Sequence, residues 1–208
     1  MAKQIAGVAE RIIAAAKREF LDKGYVDASL RTIAAAADTS TNSIYVRFGD
    51  KEGLFSVIVE PVLSEMTERF IHIQERFHQM SPAEQAETMP KYADGGTSEL
   101  IDHMYAHLDE FRLLLDASYG TRYHRFVDEL VRIEVEYTYK YMEAVGCSDK
   151  FGDAVTETLL HIVTTSRFES LFEIIRHGMS REEASEYIAL LSRYPRAGFL
   201  EIFGFGEA

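Results

Sequence analysis

His103 and His107 stand four residues apart, with Asp102 and Glu110 nearby, a spacing that sets two imidazoles on one helical face where they can hold a metal ion. Met104, however, occupies the place where the His-Glu-x-x-His pattern of zinc proteases carries its general base. The pair therefore reads as two surface histidines, and a metal-binding helical enzyme or sensor is kept only as the alternative. No glycine-rich phosphate loop occurs, and Ser118-Tyr119-Gly120 does not fit a nucleophile elbow. Cys147 is the only cysteine, so no intrachain disulfide can form. The sequence leads to the expectation of no catalytic residue, no bound metal and no cofactor.

The elements that must position any functional side chain are helical. Of the 208 residues 47% are apolar and 27% charged, the balance of a chain that can bury a sizeable core. Apolar residues recur at three- and four-residue steps almost throughout, without strand-like alternation or an internal repeat. The expectation is an all-α fold of about nine helices. No apolar run approaches a membrane span and no signal-peptide pattern opens the chain, which points to a cytoplasmic protein.

Net charge is −12, but it is unevenly spread. Residues 1–60 hold eight basic and eight acidic side chains, so the whole deficit falls in residues 61–208. An acidic body repels nucleic acid, whereas a neutral head can still present a local basic face.

Cap and stop residues give the helix boundaries. Ile5, Ala9, Ile12, Ala16 and Phe20 mark one face of a first helix, which Gly24 ends. Ser29 caps a helix over 30–37, Asp38-Thr39 makes a tight turn, and Ser40 caps a helix over 41–48. Asp50 caps a long fourth helix reaching about residue 79, with a kink expected near Pro61. Ser81-Pro82 and Ala93-Asp94-Gly95-Gly96 delimit a short, weaker helix, followed by helices over 98–117, 123–145, 152–177 and 181–193. Ser180 with Glu183 forms a capping box, and the apolar tail 198–205 is expected to pack down.

Two short helices joined by about three residues have the spacing of a helix-turn-helix, whose second helix enters the DNA major groove. Spacing alone fits a structural three-helix corner equally well. The residues decide. Phe20-x3-Gly24-Tyr25, then Ile33-Ala34-x-x-Ala37, then Ile44-Tyr45-x-x-Phe48-x-x-Lys51-Glu52-x-Leu54-Phe55 closely resemble the DNA-binding head of the tetracycline-repressor (TetR) family over about residues 8–58. Asp38-Thr39 departs from the Gly-apolar turn usual in that family, although Asp tolerates the left-handed conformation.

The resemblance implies a DNA-binding domain over 1–58 and a helical effector-binding and dimerisation domain over 59–208. It implies a ligand-responsive repressor that binds a palindromic double-stranded operator as a homodimer and is released by a small molecule. A helical protein-interaction module is a further alternative. Thr41, Asn42 and Ser43 would face base edges, Tyr45 and Arg47 phosphates or neighbouring bases, and Lys51 a phosphate, with Arg31 and Thr32 as further backbone contacts. Candidate pocket residues are Met66, Phe70, Met104, Tyr105, Leu108, Phe111, Tyr119, Tyr123, Tyr137, Tyr141, His161 and Phe168. Candidate interface residues are Val155, Leu159, Ile162, Val163 and Ser166 on one helix and Ala184, Ile188, Leu191 and Tyr194 on the next. Pro61, at the junction of the two domains, is a candidate hinge.

Overall fold

The computed structural model describes residues 2–146 and 153–203, and among these it holds ten α-helices, one short 3-10 turn and no strand. The helices are α1 (Ala2–Asp27), α2 (Leu30–Ala36), α3 (Thr41–Phe48), α4 (Lys51–His78), α5 (Pro82–Ala106), α6 (Leu108–Asp116), α7 (Phe126–Ala144), α8 (Asp153–Arg176), α9 (Arg181–Leu191) and α10 (Arg193–Phe203), with the 3-10 turn Arg122–Arg125 ahead of α7. The all-α expectation holds. Cys147, the helix start expected at residue 152 and the end of the apolar tail at Phe205 lie outside the described residues. No helix among those described is long and apolar enough to cross a membrane.

The chain packs as two units, Met1–Glu65 with His107–Phe126 and Met66–Ala106 with Val127–Ala208. The first therefore takes in α6 and the 3-10 turn, which a division at residue 58 assigns to the second domain. The physical reason is a set of aromatic and charged contacts that short-range pattern does not reveal. The Phe55 ring lies edge-on to Phe20 at 5.1 Å and to Tyr25 at 5.5 Å, and 6.0 Å from Tyr123. Lys17 on α1 pairs with Glu110 at 2.8 Å and Asp109 at 3.4 Å on α6. Tyr25 donates its backbone N–H to the Ala117 carbonyl at 2.8 Å. Arg122 pairs with Glu60 at 2.6 Å, and the Tyr123 hydroxyl donates to the same carboxylate.

In the second unit, Met66, Phe70, Ile73 and Phe77 form the buried stripe of α4. Leu100, Ile101 and Met104 of α5 and Phe168, Leu171, Phe172 and Ile175 of α8 are buried in the same unit. Helix α5 departs from expectation: it runs unbroken through Ala93-Asp94-Gly95-Gly96, and the break falls at His107, with φ −134° and ψ 42°. A helical glycine costs only about 1 kcal/mol, which burial of an adjoining apolar stripe outweighs. Gly96 also has a packing role, since a Cβ there would stand 2.7 Å from Ile73 Cγ2. His103 is buried within α5 rather than on the surface. Helix α4 continues through Pro61, and α9 and α10 divide the C-terminal segment that reads as one helix and a tail. The Ser180–Glu183 capping box is present.

Glu19 is the one buried carboxylate of α1, and it fastens the start of α2. It accepts the Ser29 backbone N–H at 3.1 Å and the Lys23 ammonium at 3.2 Å. The Ser29 amide first, then Lys23, hold its pKa below the ordinary carboxylate value of 4.5 against the upward push of burial. A depressed folded-state pKa contributes stability that is complete above the unfolded value and lost as pH falls through the folded one. Wild type should therefore be more stable than Glu19→Gln at neutral pH by a margin that narrows below about pH 4.5. Urea unfolding of both proteins from pH 7 to 3 measures the margin, and a pH-independent gap would assign the effect to shape alone.

Candidate nucleic-acid interface and a cavity

The helix-turn-helix is built from local hydrogen bonds that its sequence encodes. Ser29 Oγ accepts the Thr32 N–H, and Ser40 Oγ accepts the Ser43 N–H at 3.2 Å, so both short helices are capped as expected. Between them Asp38 adopts φ 50°, the left-handed conformation anticipated for this turn. Thr39 donates its backbone N–H to the Ala34 carbonyl at 2.9 Å and closes the corner. Ile33, Ala34, Ala37 and Ile44 are buried, which fixes which face of α3 looks outward.

That outward face carries Asn42, Tyr45 and Val46, at i, i+3 and i+4, all exposed. Val46 is 75% exposed, the most open of the large apolar side chains described in α1 to α4, and the sequence motif does not mark it. Its signal was available: an apolar residue opposite the buried Ile44 has no core to enter. Thr41 is half-buried at the helix start, and Arg31 and Thr32 are exposed at the start of α2. Arg47 turns back along its own helix, donating to the Ser43 carbonyl at 3.1 Å and to its hydroxyl at 2.5 Å. Ser43 and Arg47 thus engage each other. Lys51 donates to the Val26 carbonyl at 2.9 Å and lies 4.9 Å above the Tyr25 ring. Burial lowers its pKa, opposed by Asp27 and Glu19.

The second unit contains a cavity of about 250 Å³ between α4, α5, α7, α8 and α9. Of the predicted pocket residues, Phe70, Tyr137 and Tyr141 line it. The others do not. Met66, Met104, Phe111 and Phe168 are core residues, the last set edge-on to Phe70 at 5.6 Å. Tyr105 is held by its hydroxyl, which donates to the Met179 carbonyl at 2.7 Å. Tyr123 and Leu108 belong to the first unit, and Tyr119 and His161 are exposed. Missed by the sequence reading were Phe77, Tyr92, Glu134 and Arg167, which also line the cavity. Glu134 accepts from Gln74 Nε2 at 2.6 Å and from Arg167 Nη1 at 2.5 Å.

The expected interface residues divide. Val155, Ile162 and Val163 of α8 are exposed apolar side chains, Ser166 is exposed and Leu159 half-buried. On the next segment Ala184 is fully buried within the unit and Ile188 and Leu191 line the cavity. Tyr194 is 84% exposed and so is Leu190, at 66%, a residue not singled out from sequence.

Residues 12–58 match the bacterial regulatory proteins of the tetR family. No curated protein matches the chain. Among solved structures, NalD, the secondary repressor of the MexAB-OprM multidrug efflux pump in Pseudomonas aeruginosa, is 17% identical, with 93% of this chain and 97% of that one covered and a TM-score of 0.57. A transcriptional regulator of the AcrR family from Aquifex aeolicus is 20% identical over 94% of this chain and 99% of that one, with a TM-score of 0.53. At these identities the likeness is one of fold.

The orientation of α3 depends on its junction with α4. Asp50 Oδ1 accepts the Gly53 N–H at 2.7 Å, and a Cβ on Gly53 would stand 1.9 Å from the Phe48 carbonyl oxygen. Gly53→Ala should cost about 1–3 kcal/mol, because the backbone of α3 must shift to admit a methyl group. Urea denaturation measures it, and unchanged stability would show that the Phe48 carbonyl yields freely.

Proposed function

We propose that this chain, a member of the tetR family of bacterial regulatory proteins, is a ligand-responsive transcriptional repressor that binds operator DNA as a homodimer. The observation that carries the reading is the outward face of α3, the second helix of a capped helix-turn-helix in the segment that matches the family. Asn42 offers an amide suited to bidentate bonding with adenine, and Val46 offers an apolar surface suited to the thymine methyl group. Tyr45 beside them can reach a phosphate. Thr41, Arg31 and Thr32 are further backbone contacts in this reading. Ser43 and Arg47 would have to part to take their share, and Lys51 would act through the helix N-terminus that it adjoins.

The exposed apolar side chains Val155, Ile162 and Val163 of α8, with Leu190 and Tyr194, support pairing with a second copy. A twofold pair of heads calls for an inverted repeat in the DNA. The cavity of the second unit is the proposed effector site, and the relative NalD, a repressor of an efflux pump, is consistent with repression here.

Selection of bound sequences from random duplex DNA tests the reading directly. An enriched inverted repeat is the expected outcome, and no enrichment by the purified protein would overturn it. On the selected DNA, Asn42→Ala should relax preference at one adenine by about 1–3 kcal/mol. Replacing a contacted thymine by deoxyuridine should weaken wild type but leave Val46→Ala unaffected, as read by fluorescence anisotropy.

A further inference from the structure

The cavity of the second unit has walls of a consistent kind. Phe77 lines it, with the Tyr92 ring at 5.1 Å and the Tyr141 ring at 5.7 Å, both tilted by just over 40°. His78 and Tyr137 form a second ring pair at 5.2 Å, and Phe70 adds a further ring. Branched aliphatic side chains such as Leu100 and Leu160 also line it. Tilted rings at these distances present faces and edges together, the arrangement that an inserted aromatic ring meets most favourably.

The charges around this wall are already matched. Both oxygens of Glu134 are engaged, one by Arg167 and one by Gln74, and Arg167 reaches Thr97 Oγ at 3.5 Å with its other nitrogen. A charged ligand would have to break that pair or enter without a counter-charge, and an uncompensated charge set against apolar walls is costly. Burial first and the nearby Lys140 second hold the His78 pKa below the ordinary histidine value, which disfavours its charged form. Asp94, the remaining charged lining residue, is exposed.

One polar group is left over. The Tyr92 hydroxyl has no hydrogen-bond partner among the described residues and is closed even to water, so a ligand acceptor reaches it through a turn of the Tyr92 ring, which lines the cavity. A buried phenol O–H without an acceptor loses its full hydration, and a ligand that supplies the acceptor recovers it. The volume of about 250 Å³ lies below the range of about 300–1,000 Å³ typical of drug-sized ligands, which limits the occupant to one or two rings.

We propose that this cavity takes an uncharged, flat, one- or two-ring aromatic compound carrying a hydrogen-bond acceptor for the Tyr92 hydroxyl. The proposal deepens the effector reading given above and rests on it for the consequence in DNA binding, but not for the chemistry of the site.

Calorimetric titration of the full chain with four probes tests it. Coumarin is flat, uncharged and carries a carbonyl; naphthalene lacks the acceptor; 2-naphthoate is flat but anionic; decanol is uncharged but aliphatic. Coumarin should bind most tightly, with each of the other three weaker by about fivefold or more. Tyr92→Phe should lower coumarin affinity by the same factor, leave naphthalene unchanged and unfold no earlier than wild type, because it removes only an unpartnered hydroxyl. Decanol or 2-naphthoate binding as well as coumarin, no coumarin binding at all, or coumarin affinity unaffected by Tyr92→Phe would each overturn the proposal. Release from the selected DNA is measured separately. Coumarin that binds as expected but leaves the protein on DNA overturns the effector reading and leaves the site chemistry standing. Release by decanol in preference to coumarin does the reverse.

Discussion

The burial of Phe55 among Phe20, Tyr25 and Tyr123 is the interaction on which the first unit depends. It joins the first turns of α4 to the end of α1 and to the 3-10 turn before α7. Helices α2 and α3 are too short to be stable alone, since isolated helices below about 12 residues are marginal in water. The burial of Ile33, Ala34 and Ile44 within the unit supplies what their own length does not. The buried carboxylate of Glu19 adds a directional contact at the backbone amide of Ser29, the cap of α2. Hydrophobic burial thus supplies the stability, and a charge-assisted hydrogen bond supplies the register.

A consequence appears on α3. Its eight residues serve two purposes, and the helical period separates them. Ile44 points to the core; Asn42, Tyr45 and Val46 point away; Ser43 and Arg47 satisfy one another along the side. Lys51 illustrates a competition between structure and recognition. Its ammonium lies over an aromatic ring and donates to a backbone carbonyl, so the same cation that a sequence reading offers to a phosphate also closes the α1–α4 corner. A contact with DNA at this point must exchange that carbonyl for a phosphate oxygen, a replacement that is favourable in charge but costs the internal bond.

What was legible in the sequence follows the range of the interactions involved. The caps at Ser29, Ser40, Asp50 and Ser180 and the left-handed Asp38 were all readable, because each rests on groups within four or five residues of one another. The break at His107 and the passage of α5 through Gly95-Gly96 were not. Two adjacent glycines signal a stop when local propensity decides, but here Gly96 brings its helix within reach of Ile73, and packing overrides propensity. The cavity was legible only in part for the same reason. An aromatic residue on an apolar stripe reads identically whether it fills the core, as Phe168 does, or faces a void, as Phe77 does. Only the arrangement of five helices distinguishes the two.

Glu134 and Arg167 sharpen that point. In a body that carries the whole acidic excess, a glutamate on α7 reads as one more surface charge. The structure instead turns it inward, where only 17% of its side chain stays exposed, and supplies an arginine from α8 and a glutamine from α4. Three helices that share no sequence proximity are thereby fixed in mutual orientation by one carboxylate. Such a pair adds little net stability over an apolar replacement, yet breaking it by removing one partner leaves a half-buried charge exposed to the cavity. Its effect is therefore to set the spacing of α4, α7 and α8 and to keep the interior electrically neutral. Hydrophobic walls alone would admit many shapes and charges; a neutralised carboxylate beside a ring of aromatic side chains narrows both.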